Sequence, residues 1–314
     1  MNNKKVVIAL GGNAILQPGQ KGTYEEQLKN IELTCLEIVS LVKIGYKVVV
    51  THGNGPQVGN ILIQNEKGSG LVPQMPLFIC GAQTQGMIGF MFQQTLKRML
   101  GKENPCEVVA LITQVVVDKN DNAFTNPTKP IGPFYSKEKA RLAMEEKGET
   151  WVEDSNRGWR KVVPSPEPIK IVEAGIIRSL SEQGVLVIAS GGGGIPVIEE
   201  DEGNYRGVEA VIDKDLAGLR MAIDVGADSF IILTDVSSVA LNYGKENERW
   251  MGSISLSEAK KYMEEGHFKA GSMGPKVRAC IRYVEETGNE AIITSLGNAI
   301  KAINYKAGTV IKPL

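Results

Sequence analysis

Three lysines in this chain stand in settings that a solvated surface lysine does not need. Lys214 lies between Asp213 and Asp215 in the segment DKD. Lys276 ends the glycine-rich GSMGPK at 271–276, and Lys129 is held between Pro127 and Pro130 in NPTKPIGP. Most lysines are exposed charges with no further role. These three sit in loops or helix starts rich in Gly, Pro or Asp. Brought together, three ammonium groups would neutralise the charge that spreads over a triphosphate during phosphoryl transfer. Asp215 is placed to hold two of them by hydrogen bonds. Asp213 or Asp235 could face a magnesium ion, which needs few protein ligands beyond the phosphates.

Glycine at strand ends is the second chemical signal. KVVIALGGN (5–13), VVVTHGNG (48–55), VLVIASGGGG (185–194), FIILTDV (230–236) and AIITSLGN (291–298) are β-branched runs that end in Gly, Asn, Asp, Ser or Thr. A parallel α/β sheet binds its ligand outside the carboxyl ends of its strands. Glycine there permits close backbone approach, and a following helix N-terminus attracts anions. One such turn is weak evidence. Gly11-Gly12, Gly53-Asn54-Gly55 and Gly191 to Gly194 on one rim are a much stronger sign. No GxxxxGK[ST] is present, so the chain has no P-loop. GNGPQVG at 53–59 is one residue too long for GxGxxG and lacks the acidic residue of a dinucleotide site.

Other candidates are weighed against plainer roles. His52 is a possible general base, but a strand-end imidazole bonded to backbone is the more ordinary case. Arg157, Arg160 and Lys161 beside Trp159 read equally as a solvated hairpin or as a contact to an anionic substrate. The acidic run Glu199 to Glu202 reads as a solvated loop. Met87, Phe90 and Met91 fit a core or a subunit interface better than a cofactor pocket.

The elements that must position these residues follow from periodicity. Leu28, Ile31, Cys35, Ile38, Val39 and Val42 recur at helix spacing, predicting a helix over 24–44 capped by Thr23 and stopped by Gly45. With strand 46–51 it completes a right-handed βαβ unit. A helix is predicted over 80–99, one continuous strand over 107–117 and a helix over 167–183. Ser255 and Glu258 have capping-box spacing before a helix over 255–265. The proline-rich stretch 118–166 breaks the rhythm, with one clear helix near 136–147 and a candidate strand at 159–163. It reads as a small lid protruding from a single domain of residues 1–314.

Composition removes several classes of function. A net charge of −1 gives no general attraction for nucleic acid or anionic membranes. Four scattered cysteines and two histidines form no disulfide or zinc framework, which fits a reducing cytoplasm. No run approaches a signal-peptide core or a membrane span.

VVIALGGNAI, THGNGPQVGN, LITQVVVD, NPTKPIGPF, RGWRKVVPSP, SGGGGIPV, GVEAVIDKD, GSMGPK and AIITS together resemble the amino acid kinase superfamily and, within it, the carbamate kinases. The similarity runs over essentially the whole chain. It implies a three-layer αβα sandwich with an open, mainly parallel eight-stranded sheet, a protruding subdomain, and a cytoplasmic homodimer. It implies ATP or ADP as substrate with Mg²⁺, and reversible transfer of phosphoryl between ATP and carbamate, often run toward ATP in arginine catabolism. Gly11, Gly12 and Asn13 would bind the transferred group, and Gly53, Asn54 and Gly55 the substrate side. Lys129, Lys214 and Lys276 would stabilise charge, with Asp215 organising them. Thr234, Asp235, Val236 and Gly274 would lie by the nucleotide. Many superfamily members carry a lysine two residues before the Gly-Gly turn; here that residue is Ala9, so Lys214 or Lys129 would supply the missing charge. The nearest alternative is a kinase of the same superfamily acting on an amino acid carboxylate or a nucleoside monophosphate, which would keep that lysine. A non-catalytic sensor would more readily have lost Lys214 or Lys276.

Overall fold

The computed structural model describes residues 3–102, 104–154, 157–268 and 273–313. Gly271 and Ser272 of the GSMGPK motif lie outside them. The strand Lys5–Leu10 is buried along its whole length, as expected of a strand covered on both faces. It pairs in parallel with Lys47–His52 on one side and Ser229–Thr234 on the other. The full sheet has eight strands. Their order is Ser253–Ser255, Thr309–Lys312, Glu290–Ser295, Ser229–Thr234, Lys5–Leu10, Lys47–His52, Leu186–Ile188, Val108–Ala110. The six from Glu290–Ser295 to Val108–Ala110 run parallel; Thr309–Lys312 is antiparallel to its inner neighbour and parallel to the outermost strand.

Because strand side chains alternate between faces, the first strand feeds two cores. Val6, Ile8 and Leu10 meet helices Tyr24–Lys43 and Leu77–Leu100 through Ile31, Cys35, Ile38, Ile88, Phe92 and Leu96. Val7 and Ala9 meet helices Lys214–Asp224 and Met273–Thr287 through Ala217, Met221, Val277 and Cys280. This is the three-layer αβα arrangement expected.

Two local expectations are corrected. The run 107–117 is not one strand. Val108–Ala110 ends the large sheet, while Gln114–Val117 joins a four-stranded sheet with Ile195–Asp201, Asn204–Gly207 and Pro168–Ile171. The chain changes sheet at Leu111–Thr113, where Thr113 exchanges two hydrogen bonds with the Gln85 side chain. Residues 167–183 are likewise split. Pro168–Ile171 is a strand, and the helix begins only at Ala174. Tertiary pairing with Gln114–Val117 overrides the helical spacing of this segment.

Within 118–166 the helix Lys137–Lys147 and the strand Trp159–Val163 are present. The strand is the middle of a three-stranded antiparallel sheet completed by Lys129–Tyr135 and Thr150–Glu153. This unit rests on helix Gly55–Gly68, where Glu66 accepts from Lys139 at 2.7 Å and from Tyr135 at 3.1 Å.

Helix Tyr24–Lys43 starts on a reciprocal capping box between Thr23 and Glu26. Replacing such a cap by alanine costs about 1 kcal/mol. Thr23→Ala is expected to lower the unfolding free energy by that amount, read as a lower denaturant midpoint at an unchanged m-value; no shift would mean the box adds nothing.

Candidate active site

The carboxyl ends of three parallel strands and two helix starts enclose a cavity of about 160 Å³. It is lined by Gly11, Gly12, Asn13, Ala14, Lys214, Leu233, Thr234, Asp235, Lys276 and Leu296. Asp215 stands behind it, 3% exposed. Its Oδ1 accepts from Lys214 Nζ at 2.5 Å and its Oδ2 from Lys276 Nζ at 3.2 Å. Each carboxylate oxygen thus holds one ammonium group. Both lysines sit in the first turn of a helix, so the partial positive charge of two helix N-termini adds to theirs.

The glycines let these groups come close. A Cβ on Gly53 would lie 3.3 Å from Lys214 Cδ and 3.7 Å from Gly12 N, so the stem of Lys214 passes over Gly53 toward the Gly11-Gly12 turn. Gly11 N–H donates to Leu233 O and Gly53 N–H to Leu10 O, at 2.9 and 3.2 Å. These bonds tie three adjacent strand ends together. Gly191 to Gly194 have a different task. They lie outside the cavity lining, and a Cβ on Gly193 would stand 2.3 Å from Ile212 O. That turn, with φ of +69° to +94° over Gly192 to Gly194, presses on the residue before Asp213 and fixes where the DKD segment enters its helix.

Lys129, at the start of strand Lys129–Tyr135, reaches Asp213 Oδ2 at 2.7 Å. Asp213 Oδ1 accepts the Asp215 N–H at 2.9 Å. Burial opposes the charge on Asp213, but Lys129, the Asp215 N–H and Lys214 outweigh it and hold its carboxyl below the usual range. Both oxygens are therefore committed, and of the two aspartates that could face a metal ion Asp235 is the available one. Asp235 accepts from Thr234 Oγ1 at 2.9 Å and lines a second, larger cavity.

That second cavity, about 590 Å³, is bounded by Asp235, Val236, Ala240, Tyr243, Trp250, Phe268 and Met273 among others. Tyr243 and Trp250 meet edge to face at 6.1 Å between centroids. Its apolar and aromatic wall suits a flat ring. Asp235 borders both cavities, and the helix start 273–276 straddles them, Met273 on one and Lys276 on the other. Gly274 is buried between these two residues. Tyr243, Trp250 and Phe268 were not singled out in the sequence; large aromatics in a polar, aperiodic loop were the available signal.

The family model described as amino acid kinase family matches residues 4–295. The chain belongs to this family. Within it, the chain is 55% identical to carbamate kinase of Pyrococcus furiosus, over 99% of each protein. It is 51% identical to that of Trichomonas vaginalis, over 98% of this chain and 99% of the other. The solved carbamate kinase of Giardia lamblia bound to AMP-PNP superposes with a TM-score of 0.93 at 49% identity, covering 99% of both chains.

Of the residues singled out in the sequence, Gly11, Gly12, Asn13, Lys214, Thr234, Asp235 and Lys276 line the smaller cavity, with Asp215 behind it, while Lys129 lies on Asp213. Asn54 and Gly55 stand apart from the smaller cavity, at the start of helix Gly55–Gly68. His52 takes the plain role. It is fully buried, stacks on Phe92 and lies 2.9 Å from Gly53 O through Nδ1. A Cβ on Gly191 would come within 2.5 Å of its Nε2. Arg157 and Arg160 pair with Asp154 and lie over the Phe134 ring, with Lys161 on Glu149.

Burial depresses the His52 pKa to about 4 from 6.5. A lowered folded-state pKa gives stability that is present above 6.5 and lost as pH falls toward 4. The unfolded chain then binds a proton that the folded chain refuses. By pH 5 the loss from this residue is about 2 kcal/mol. Denaturant titrations at pH 7 and 5 read it. An NMR titration that places the His52 imidazole near its ordinary value would overturn the assignment.

Proposed function

We propose that the chain catalyses ATP + carbamate ⇌ ADP + carbamoyl phosphate in the cytoplasm, run toward ATP in arginine catabolism. The observation that carries this reading is the Lys214–Asp215–Lys276 bridge opening on the same cavity as the Gly11-Gly12 turn. In the ATP-forming direction the bond between the carbamate oxygen and phosphorus breaks as one forms from a terminal oxygen of ADP. Carbamate leaves as an anion, so no proton need be moved and no general base is required. This accords with a buried, neutral His52 away from the cavity lining.

The main obstacle is repulsion between two anions. Lys214 and Lys276, held by Asp215, meet the transferring phosphoryl with their positive charge. Gly11, Gly12 and Asn13 line its bed, with the Gly11 N–H spent on Leu233 O. Gly53, Asn54 and Gly55 form the substrate side. Lys129 comes down with the 118–166 lid, now parked on Asp213. Thr234, Asp235, Val236 and Gly274 border the nucleotide, whose ring takes the larger cavity. Asp235 is the side chain that would hold Mg²⁺ beside the phosphates, and the ion would supply further neutralisation of their charge.

The enzyme is a homodimer in this reading. Met87 and Phe90, 39% and 57% exposed, lie on helix Leu77–Leu100, which flanks the edge strand Val108–Ala110, with Ile112 half exposed beyond it. Met91, by contrast, is buried in the core. Phe90→Glu is expected to yield monomers in analytical ultracentrifugation; a wild-type monomer sinks the dimer.

Mixing protein, ADP, Mg²⁺ and carbamoyl phosphate should yield ATP. Formation of phosphorylated N-acetylglutamate or UMP from ATP, with no ATP from carbamoyl phosphate, would replace the reading. Lys276→Ala is expected to lower turnover about a hundredfold or more, as when a group stabilising transition-state charge is lost. Retention of activity within a few-fold would remove Lys276 from the mechanism.

A further inference from the structure

Asn is among the most favoured N-cap residues, because its side chain can accept a backbone N–H of the first turn. Asn54 holds the N-cap position of helix Gly55–Gly68 and makes no such bond. Its amide is turned to the neighbouring helix instead, where Nδ2 donates to Thr84 Oγ1 at 2.8 Å. Thr84 is fully buried on helix Leu77–Leu100, and its hydroxyl lies 2.6 Å from Gly81 O.

The protons can be assigned from this geometry. A carbonyl oxygen only accepts, so the single hydroxyl proton of Thr84 goes to Gly81 O. Toward Asn54 the hydroxyl can then only accept. The NH₂ end of the amide must therefore face Thr84, and Oδ1 must face away. No described group donates to that Oδ1, and it is not among the buried unpaired polar atoms. Asn54 directly follows Gly53, over which Lys214 reaches toward Gly12. The flat amide lies against Gly192, where a Cβ would come within 2.2 Å of Nδ2, so it is backed closely by main chain.

Carbamate and acetate share a carboxylate and a shape. They differ in that carbamate carries an NH₂ donor where acetate carries a methyl. An open carbonyl acceptor at the substrate side pairs with the first and is left unpaired by the second, and unpaired polar groups discriminate strongly. We propose that Thr84 is a positioning residue that fixes the Asn54 amide so that Oδ1 accepts from the amino group of carbamate, separating it from carboxylates of like size. This rests on the carbamate reading of the site and names its selectivity determinant.

The test compares kcat/KM for carbamoyl phosphate and acetyl phosphate, with ADP as acceptor and ATP as readout. Thr84→Val keeps the shape but frees the amide to flip, and is expected to reduce the carbamoyl-to-acetyl ratio about tenfold, the worth of one hydrogen bond. Thr84→Ser, which retains the hydroxyl, should keep the wild-type ratio. Asn54→Ala should lose as much as Thr84→Val, and the double variant no more than either. Equal losses on both substrates, or equal loss in Thr84→Ser, would overturn the proposal. Should Thr84→Val not fold, Asn54→Ala alone decides, an unchanged ratio overturning it. Absence of ATP from the wild type with carbamoyl phosphate is a separate failure, that of the reaction.

Discussion

A carboxylate buried as deeply as Asp215 is tolerated only when its charge is met by partners. Here each oxygen has one lysine. The dependence runs both ways, since two ammonium groups drawn to one point repel unless a negative charge lies between them. Neither lysine belongs to the same helix start as the other: Lys214 opens Lys214–Asp224 and Lys276 lies in the first turn of Met273–Thr287. The bridge therefore requires two helices, about 60 residues apart in sequence by the numbering, to deliver their N-termini to one place. Their shared core on one face of the sheet, through Ala217, Met221, Val277 and Cys280, does this. The lysine tips are thus aimed by a carboxylate rather than by rotamer preference alone.

Asp213 extends the same logic to the lid. One of its oxygens caps the helix that carries Lys214 and Asp215, and the other holds Lys129. A change in the lid that withdraws Lys129 leaves Asp213 still tied to the helix through the Asp215 N–H. The helix start therefore does not depend on the Lys129 contact.

Lys5–Leu10, Lys47–His52, Leu186–Ile188, Ser229–Thr234 and Glu290–Ser295 were legible because each belongs to a short apolar run with a polar end, the run being buried on both faces of the sheet; Ser253–Ser255, an outer strand of three residues, carries no such run. The three lysines were legible because glycine, proline and aspartate around them had no other purpose. Less was legible where one local pattern served two tertiary destinations. EVVALITQVVV is uniformly β-rich, so nothing in it marks the crossing from one sheet to the other at Leu111–Thr113. The partner that does mark it, Gln85, is nearly 30 residues away on a helix. Pro168–Ile171 was hidden in the opposite sense, since Ile169, Ile171 and Val172 continue into a real helical pattern. Trp250 comes from a two-residue strand and Phe268 from a loop, neither with periodicity, and Thr84 reads as an ordinary helical residue. Their roles rest on who meets them in space.

Ala9 ties the fold to the chemistry. It lies in the first strand opposite Thr51 and Ile232, buried on the face that carries helix Lys214–Asp224. A Cβ on Gly218 of that helix would stand 3.2 Å from the Ala9 Cβ. Alanine against glycine is a contact with no space to spare, and it lets helix and strand approach more closely than larger side chains allow. A lysine at position 9 would have to displace the helix. The same close approach carries the N-terminus of the helix, with Lys214 and Asp215, up to the glycine turns at the strand ends. The absent strand lysine and the present helix lysine are thus consequences of one packing choice: the space a charge at position 9 would need is occupied by the helix that brings the charge from 214.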